Sequence, residues 1–155
     1  MTRLRLCAAI PLALALTMTG CSTTVAMEAA AEANDPSCAD VMVRLPDRIA
    51  GEDRRWTDAQ STASWGDPSS VLLTCGVPVV GASELPCQSA GGVDWIIDDS
   101  DAPRYRFTSF GRSPAIEVYL DYEIVSSRDV LDAIGAKADE VLPVTGAACT
   151  DLAAP

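Results

Sequence analysis

The chain has 155 residues, 48% of them hydrophobic but only 5% aromatic, and carries 11 basic against 22 acidic residues with no histidine. Its formal charge of −11 opposes nucleic-acid binding, which rests on Lys and Arg neutralising phosphates, and bears on solubility rather than fold. Without histidine there is no Ser-His-Asp or Cys-His relay and no histidine metal ligand.

Arg3 and Arg5 precede an apolar run from Leu6 to Met18, broken by Pro11. That run is too short for a membrane-spanning helix, which takes about 20 residues. It suits the hydrophobic region of an export signal, and Met18-Thr19-Gly20-Cys21 at its end resembles the lipobox of bacterial lipoproteins. The resemblance implies cleavage before Cys21, a thioether lipid on that cysteine and acylation of the new amino terminus. Two or three acyl chains anchor stably, because each buried methylene contributes ~0.8 kcal/mol and one chain alone is marginal. The expected location is therefore the cell membrane, lipid-anchored on its extracytoplasmic face. Loss of residues 1–20 would leave nine basic and twenty-two acidic residues, a formal charge of −13.

Cys7 leaves with the signal and Cys21 takes the lipid, so Cys38, Cys75, Cys87 and Cys149 remain. An even four in an oxidising compartment predicts two disulfides, with three pairings open. Their spacings do not match zinc sites, and no metal or other cofactor is expected.

Residues 21–36 read as the lipidated cysteine and a flexible tether, which at full extension would lift a domain ~50 Å from the membrane. A single globular domain follows over 37–150, with a tail at 151–155. "DPSCADVMVRLP" predicts an opening helix, with Asp35 or Ser37 as cap, Pro36 in the first turn, and Cys38, Val41, Met42 and Leu45 on one face. Pro46 would end it. Residues 47–70 read as polar and turn-rich. Strands follow at "SVLLTCGVP", "GVDWII", "RYRFTSF" and "AIEVYLDYEI", the last alternating Ile116, Val118, Leu120 and Tyr122 against Glu117, Tyr119, Asp121 and Glu123. "SSRDVLDAIGAKADEVLP" closes the chain with a second helix, capped by Ser126 and striped by Val130, Leu131, Ile134, Ala138, Val141 and Leu142. These elements predict an α+β fold: a mostly antiparallel sheet of about four strands, two helices packed on one face, and two disulfides.

"CADVMVRLP", the Arg54–Arg55 pair, "WGDP" at 65–68, "LTCGVP", "VDW" at 93–95 and "FTSFGR" at 107–112 occur in one order. In that order they resemble an actinobacterial lipoprotein family catalogued as domain of unknown function 3515. The resemblance covers residues 37–145. It implies a small exported or lipid-anchored protein, assigns no activity, and favours a Cys38–Cys75 bridge, which leaves Cys87–Cys149.

Candidate binding residues are Trp65, Asp67, Trp95, Arg112 and Arg55. Trp65 and Asp67 share a tight turn, where they either plug the core edge and cap the turn or form an aromatic lip for a sugar ring or peptide. Arg112, at a strand end, could grip a carboxylate or phosphate in bidentate fashion or pair with a nearby acid. Arg54 and Arg55 read as solvated or paired. Asp94, Asp98, Asp99 and Asp101 lack the glycine and closing glutamate of a calcium loop. Lys137 has no Ser-x-x-Lys partner, and "CGVP" is not a Cys-x-x-Cys pair, so no catalytic residue is assigned and a non-enzymatic role is expected. The functional expectation is a binding or assembly module at the cell envelope, with Trp65, Trp95 and Arg112 converging on an envelope protein or wall-derived ligand. The alternatives are an accessory subunit of a membrane complex or, less favoured, a carboxylate-dependent hydrolase.

Overall fold

The computed structural model describes residues 24–81 and 83–149. The expected signal over 1–20, the lipidation site Cys21 and the tail at 151–155 lie outside the described residues.

Helix α1 spans Pro36–Met42, and the Asp35 carboxylate at its N-cap accepts a 2.8 Å hydrogen bond from the Ser37 amide. It stops before Pro46, at Val43, with Cys38, Val41 and Leu45 buried. Eight strands follow: β1 Arg48–Ile49, β2 Glu52–Arg55, β3 Thr62–Trp65, β4 Val71–Val77, β5 Cys87–Ala90, β6 Val93–Asp98, β7 Arg104–Phe110 and β8 Ala115–Asp121. Helix α2, Ser127–Asp139, closes the fold, with the Ser126 hydroxyl accepting from the Asp129 amide at 3.3 Å.

All pairings are antiparallel, in the order β1-β2-β3-β4-β8-β7-β6-β5. The sheet is thus two four-stranded meanders joined where β4 meets β8. It has eight strands, not the expected four or so. The four additional strands, β1, β2, β3 and β5, are short and carry polar sequences such as Glu52-Asp53-Arg54-Arg55 and Cys87-Gln88-Ser89-Ala90. Neighbouring strands hold them in the sheet, against their weak intrinsic β preference.

Register lines one face with apolar side chains. Trp65 pairs with Val71, Leu73 with Val118, Phe107 with Val118 and with Ile97, and Cys75 with Ile116. These residues share one core with Cys38 and Val41 of α1 and Val130, Leu131 and Ile134 of α2. Both helices therefore cover the same face. Disulfides join Cys38 to Cys75 and Cys87 to Cys149, so α1 is fastened to the centre of the sheet and the C-terminal segment to its β5 edge. Closing loops of this size contributes roughly 4 kcal/mol per bridge in the chain-entropy view. Gly135 lets α2 approach the β5–β6 turn, where a Cβ would lie 2.7 Å from the Ala90 carbonyl oxygen.

The stretch expected to be a free tether lies largely on the domain. Val25 pairs with Thr57, the Met27 amide donates to Asp58 Oδ1 at 2.8 Å, and Ala33 is buried. At a register shift in β4, Gly76 (φ +92°) accepts a 3.0 Å hydrogen bond from the Glu32 amide. A Cβ on Gly76 would lie 2.5 Å from the Ala33 nitrogen. The mixed small and polar composition of this stretch gave no core signal because its attachment is made by backbone groups.

Gly76→Ala is expected to destabilise the domain by about 2 kcal/mol, through left-handed strain and the clash with residues 32–33. Urea unfolding reads the loss, and limited proteolysis reads the earlier release of residues 24–35.

Candidate functional site

The end of β2 and the turn after it carry the most exposed of the large hydrophobic side chains, beside a cleft. Along β2, Arg54 lies opposite Trp65 and Arg55 opposite Ser64, so the two guanidiniums leave opposite faces. Arg54 turns toward the core. Its guanidinium lies 5.8 Å from the centroid of the Trp65 ring and donates to the Met42 and Leu45 carbonyls, each at 3.3 Å. It thereby satisfies carbonyls that the end of α1 leaves without helical partners. Burial lowers its pKa from the ordinary arginine value, opposed by the nearby Asp47 carboxylate. Arg55 donates to the Gly66 carbonyl at 3.2 Å and to Asp67 Oδ1 at 3.0 Å.

Beyond the strand, Trp56 is 80% exposed. The turn after it is held by hydrogen bonds from Thr57 Oγ1 to the Thr62 carbonyl and from Thr62 Oγ1 to the Ala59 carbonyl, at 3.1 and 2.7 Å. Asp47, Arg54, Arg55, Trp56, Thr57 and Thr62 line a cleft of about 430 Å³. This is room for a drug-sized or monosaccharide-sized group. Its lining comprises one tryptophan, two arginines, one aspartate and two threonines.

The expected convergence of Trp65, Trp95 and Arg112 on a ligand does not occur. Trp65 and Trp95 have 0% exposure, and their indole nitrogens donate to the Pro46 and Ala90 carbonyls at 3.2 and 3.0 Å. They stand on β3 and β6, four strand spacings or about 19 Å apart. Each faces the helices, where a large aromatic with one satisfied polar atom belongs in the core. Arg112 is 8% exposed and donates to the Leu142 carbonyl at 3.0 Å and the Gly92 carbonyl at 2.9 Å, and it pairs with Asp139. It ties the end of β7 to the β5–β6 turn and to the chain leaving α2. Of the five candidates, Arg55 and Asp67 do meet, as an ion pair beside the cleft. Trp56 escaped the sequence reading. Its signal is the wholly polar stretch Arg54-Arg55-Trp56-Thr57-Asp58, in which no apolar neighbour competes for the core.

The outer face of the sheet is polar. Arg106 pairs with Glu117 at 3.2 Å and its guanidinium lies 5.3 Å from the Tyr119 ring centroid, while the Tyr119 hydroxyl hydrogen-bonds Asp101. That hydrogen bond holds the phenol above its ordinary pKa, with partial exclusion from water adding to it. Asp98, on the same face, lies below the usual carboxylate range because it accepts from Ser100. Among the described residues, no three metal-ligating side chains form a cluster.

A disulfide-bonded α+β domain, one eight-stranded antiparallel sheet with both helices on a single face and a cleft at the end of β2, is the class these features define. The chain belongs to the family described as protein of unknown function DUF3515, whose model matches residues 3–144. No curated protein and no solved structure matches it.

Arg112→Ala strips buried carbonyls of their donor and is expected to cost about 3 kcal/mol of stability, read by urea unfolding, with Arg112→Lys recovering only part. For Tyr119, the hydrogen bond to Asp101 favours the neutral phenol. Its contribution is present below the ordinary tyrosine pKa of about 10 and is lost as pH rises through the raised value. Asp101→Asn should therefore bring one tyrosine back toward the ordinary value in an absorbance titration of phenolate.

Proposed function

We propose that this protein is a lipid-anchored extracytoplasmic binding or assembly module of the cell envelope, held to the membrane through Cys21, with the cleft at the end of β2 as its recognition surface. The observation that carries the reading is Trp56. It is 80% exposed at the mouth of a cleft lined by two arginines, while the other two tryptophans are fully buried. Exposed tryptophan beside arginine is the composition of binding hot spots, since both give large contact areas and directional contacts. The partner class is an envelope protein or a wall-derived ligand. The two disulfides support an oxidising compartment outside the cytoplasm, and the lipobox-like Met18-Thr19-Gly20-Cys21 supports the anchor.

A second reading, an accessory subunit docking on a membrane complex, is favoured by Tyr122 and Ile124. These are 58% and 55% exposed in the turn between β8 and α2, beside a shallow depression of about 390 Å³. Apolar side chains paired on a protruding turn suit docking against another protein.

Mild crosslinking in the native host, followed by recovery of the protein, separates the readings. Wild type is expected to carry envelope protein or wall fragments that are reduced several-fold in Trp56→Ala and unchanged in Ile124→Ser. The reverse pattern would favour the accessory subunit. The mass of the N-terminal peptide tests the anchor, and an unmodified Cys21 would refute it.

A further inference from the structure

The chain between the proposed anchor and Trp56 is short. Val25 forms a parallel bridge with Thr57; its amide donates to the Trp56 carbonyl at 2.9 Å, and its carbonyl accepts from the Asp58 amide at 3.2 Å. The segment arriving from Cys21 is thus pinned on both sides of Thr57, the residue after Trp56. Three residues separate Cys21 from Val25, and even fully extended these four Cα steps span no more than about 14 Å. That is about twice the ~5–8 Å headgroup layer on each side of the hydrocarbon core. If lipid chains on Cys21 enter the membrane, the end of β2 and the turn after it are the part of the domain held nearest to it.

We infer that Trp56 is a membrane-contact residue, and that the partner of this part of the domain is the lipid–water interface of the bilayer in which Cys21 is anchored. The inference rests on the anchoring reading above and names the surface on which the exposed indole sits. Tryptophan suits that layer because its ring is largely apolar while its N–H remains hydrated. At 80% exposure Trp56 presents most of its surface to solvent. Nearby charges do not supply the attraction: Arg48 is paired with Asp53 and Arg55 with Asp67. The contact comes from tethering and apolar insertion, with little dependence on salt or on anionic lipid. The domain then stands with one orientation on the membrane, its cleft opening at headgroup level.

The test uses the chain from Cys21 onward with its disulfides formed, in which Cys21 is the one free thiol. It is coupled to a maleimide phospholipid in phosphatidylcholine vesicles, with and without bromine on the acyl chains. Bromine quenches tryptophan on contact, and Trp65 and Trp95 are fully buried, so the emission lost is that of Trp56. Tethered protein should lose emission in brominated vesicles at both low and high salt, and Trp56→Phe should lose none. Equal emission in the two kinds of vesicle, or equal loss in Trp56→Phe, would overturn the inference. So would shielding of Trp56 from a soluble quencher by self-association of untethered protein. The maleimide lipid supplies the anchor independently of the cell. Failure of native anchoring therefore appears in the mass of the N-terminal peptide, and failure of the bilayer contact appears in the quenching.

Discussion

The pairing of β4 with β8 is the contact on which the rest of the molecule depends. It joins two meanders that are otherwise local, each strand hairpinned to the next, across about forty residues of intervening chain. Through it Leu73 meets Val118 and Cys75 meets Ile116, and the apolar faces of both halves become one surface. Without that joint, each four-stranded meander would have a half-covered face and a single helix. With it, both helices share one core, and burying a continuous face outweighs the entropy of closing the long connection.

Cys75 sits on that joint and is bridged to α1, so the first helix is fixed to the centre of the sheet. Gly76, one residue on, breaks the register and accepts the backbone of residues 32–33. The consequence runs outward along the chain. Once residues 24–35 lie on the domain, the distance available between Cys21 and the folded part shrinks from that of a long tether to a few residues.

Arginines do most of the polar fastening. Arg54 closes the end of α1 over Trp65, and Arg112 gathers three separate segments around its guanidinium. Arginine suits both places because its planar fork serves several carbonyls at once while its stem packs against apolar neighbours. The same chemistry that made Arg112 read as a ligand grip in the sequence makes it a structural clasp in the fold. Its partners, the Gly92 and Leu142 carbonyls, lie 20 and 30 residues away.

What the sequence determined by itself is what local chemistry decides. The capping of α2 by Ser126, the start of α1 at Asp35-Pro36, the apolar stripes of both helices, and the alternation from Ile116 to Leu120 each depend on neighbours within a turn or on strict periodicity. The resemblance carried by motifs in order likewise pointed to the family that the chain belongs to. Only the tertiary structure decided the strands β1, β2, β3 and β5, because they are short, without the alternation that marks β8, and are held in place by the sheet they join rather than by their own β preference. It also decided which tryptophans are core. Three indoles in short polar or mixed contexts look alike along the chain, yet two stand on strands whose inner face the helices cover and the third falls just past the end of β2. Burial is set by what packs from the far side of the sheet, and no window of sequence contains that.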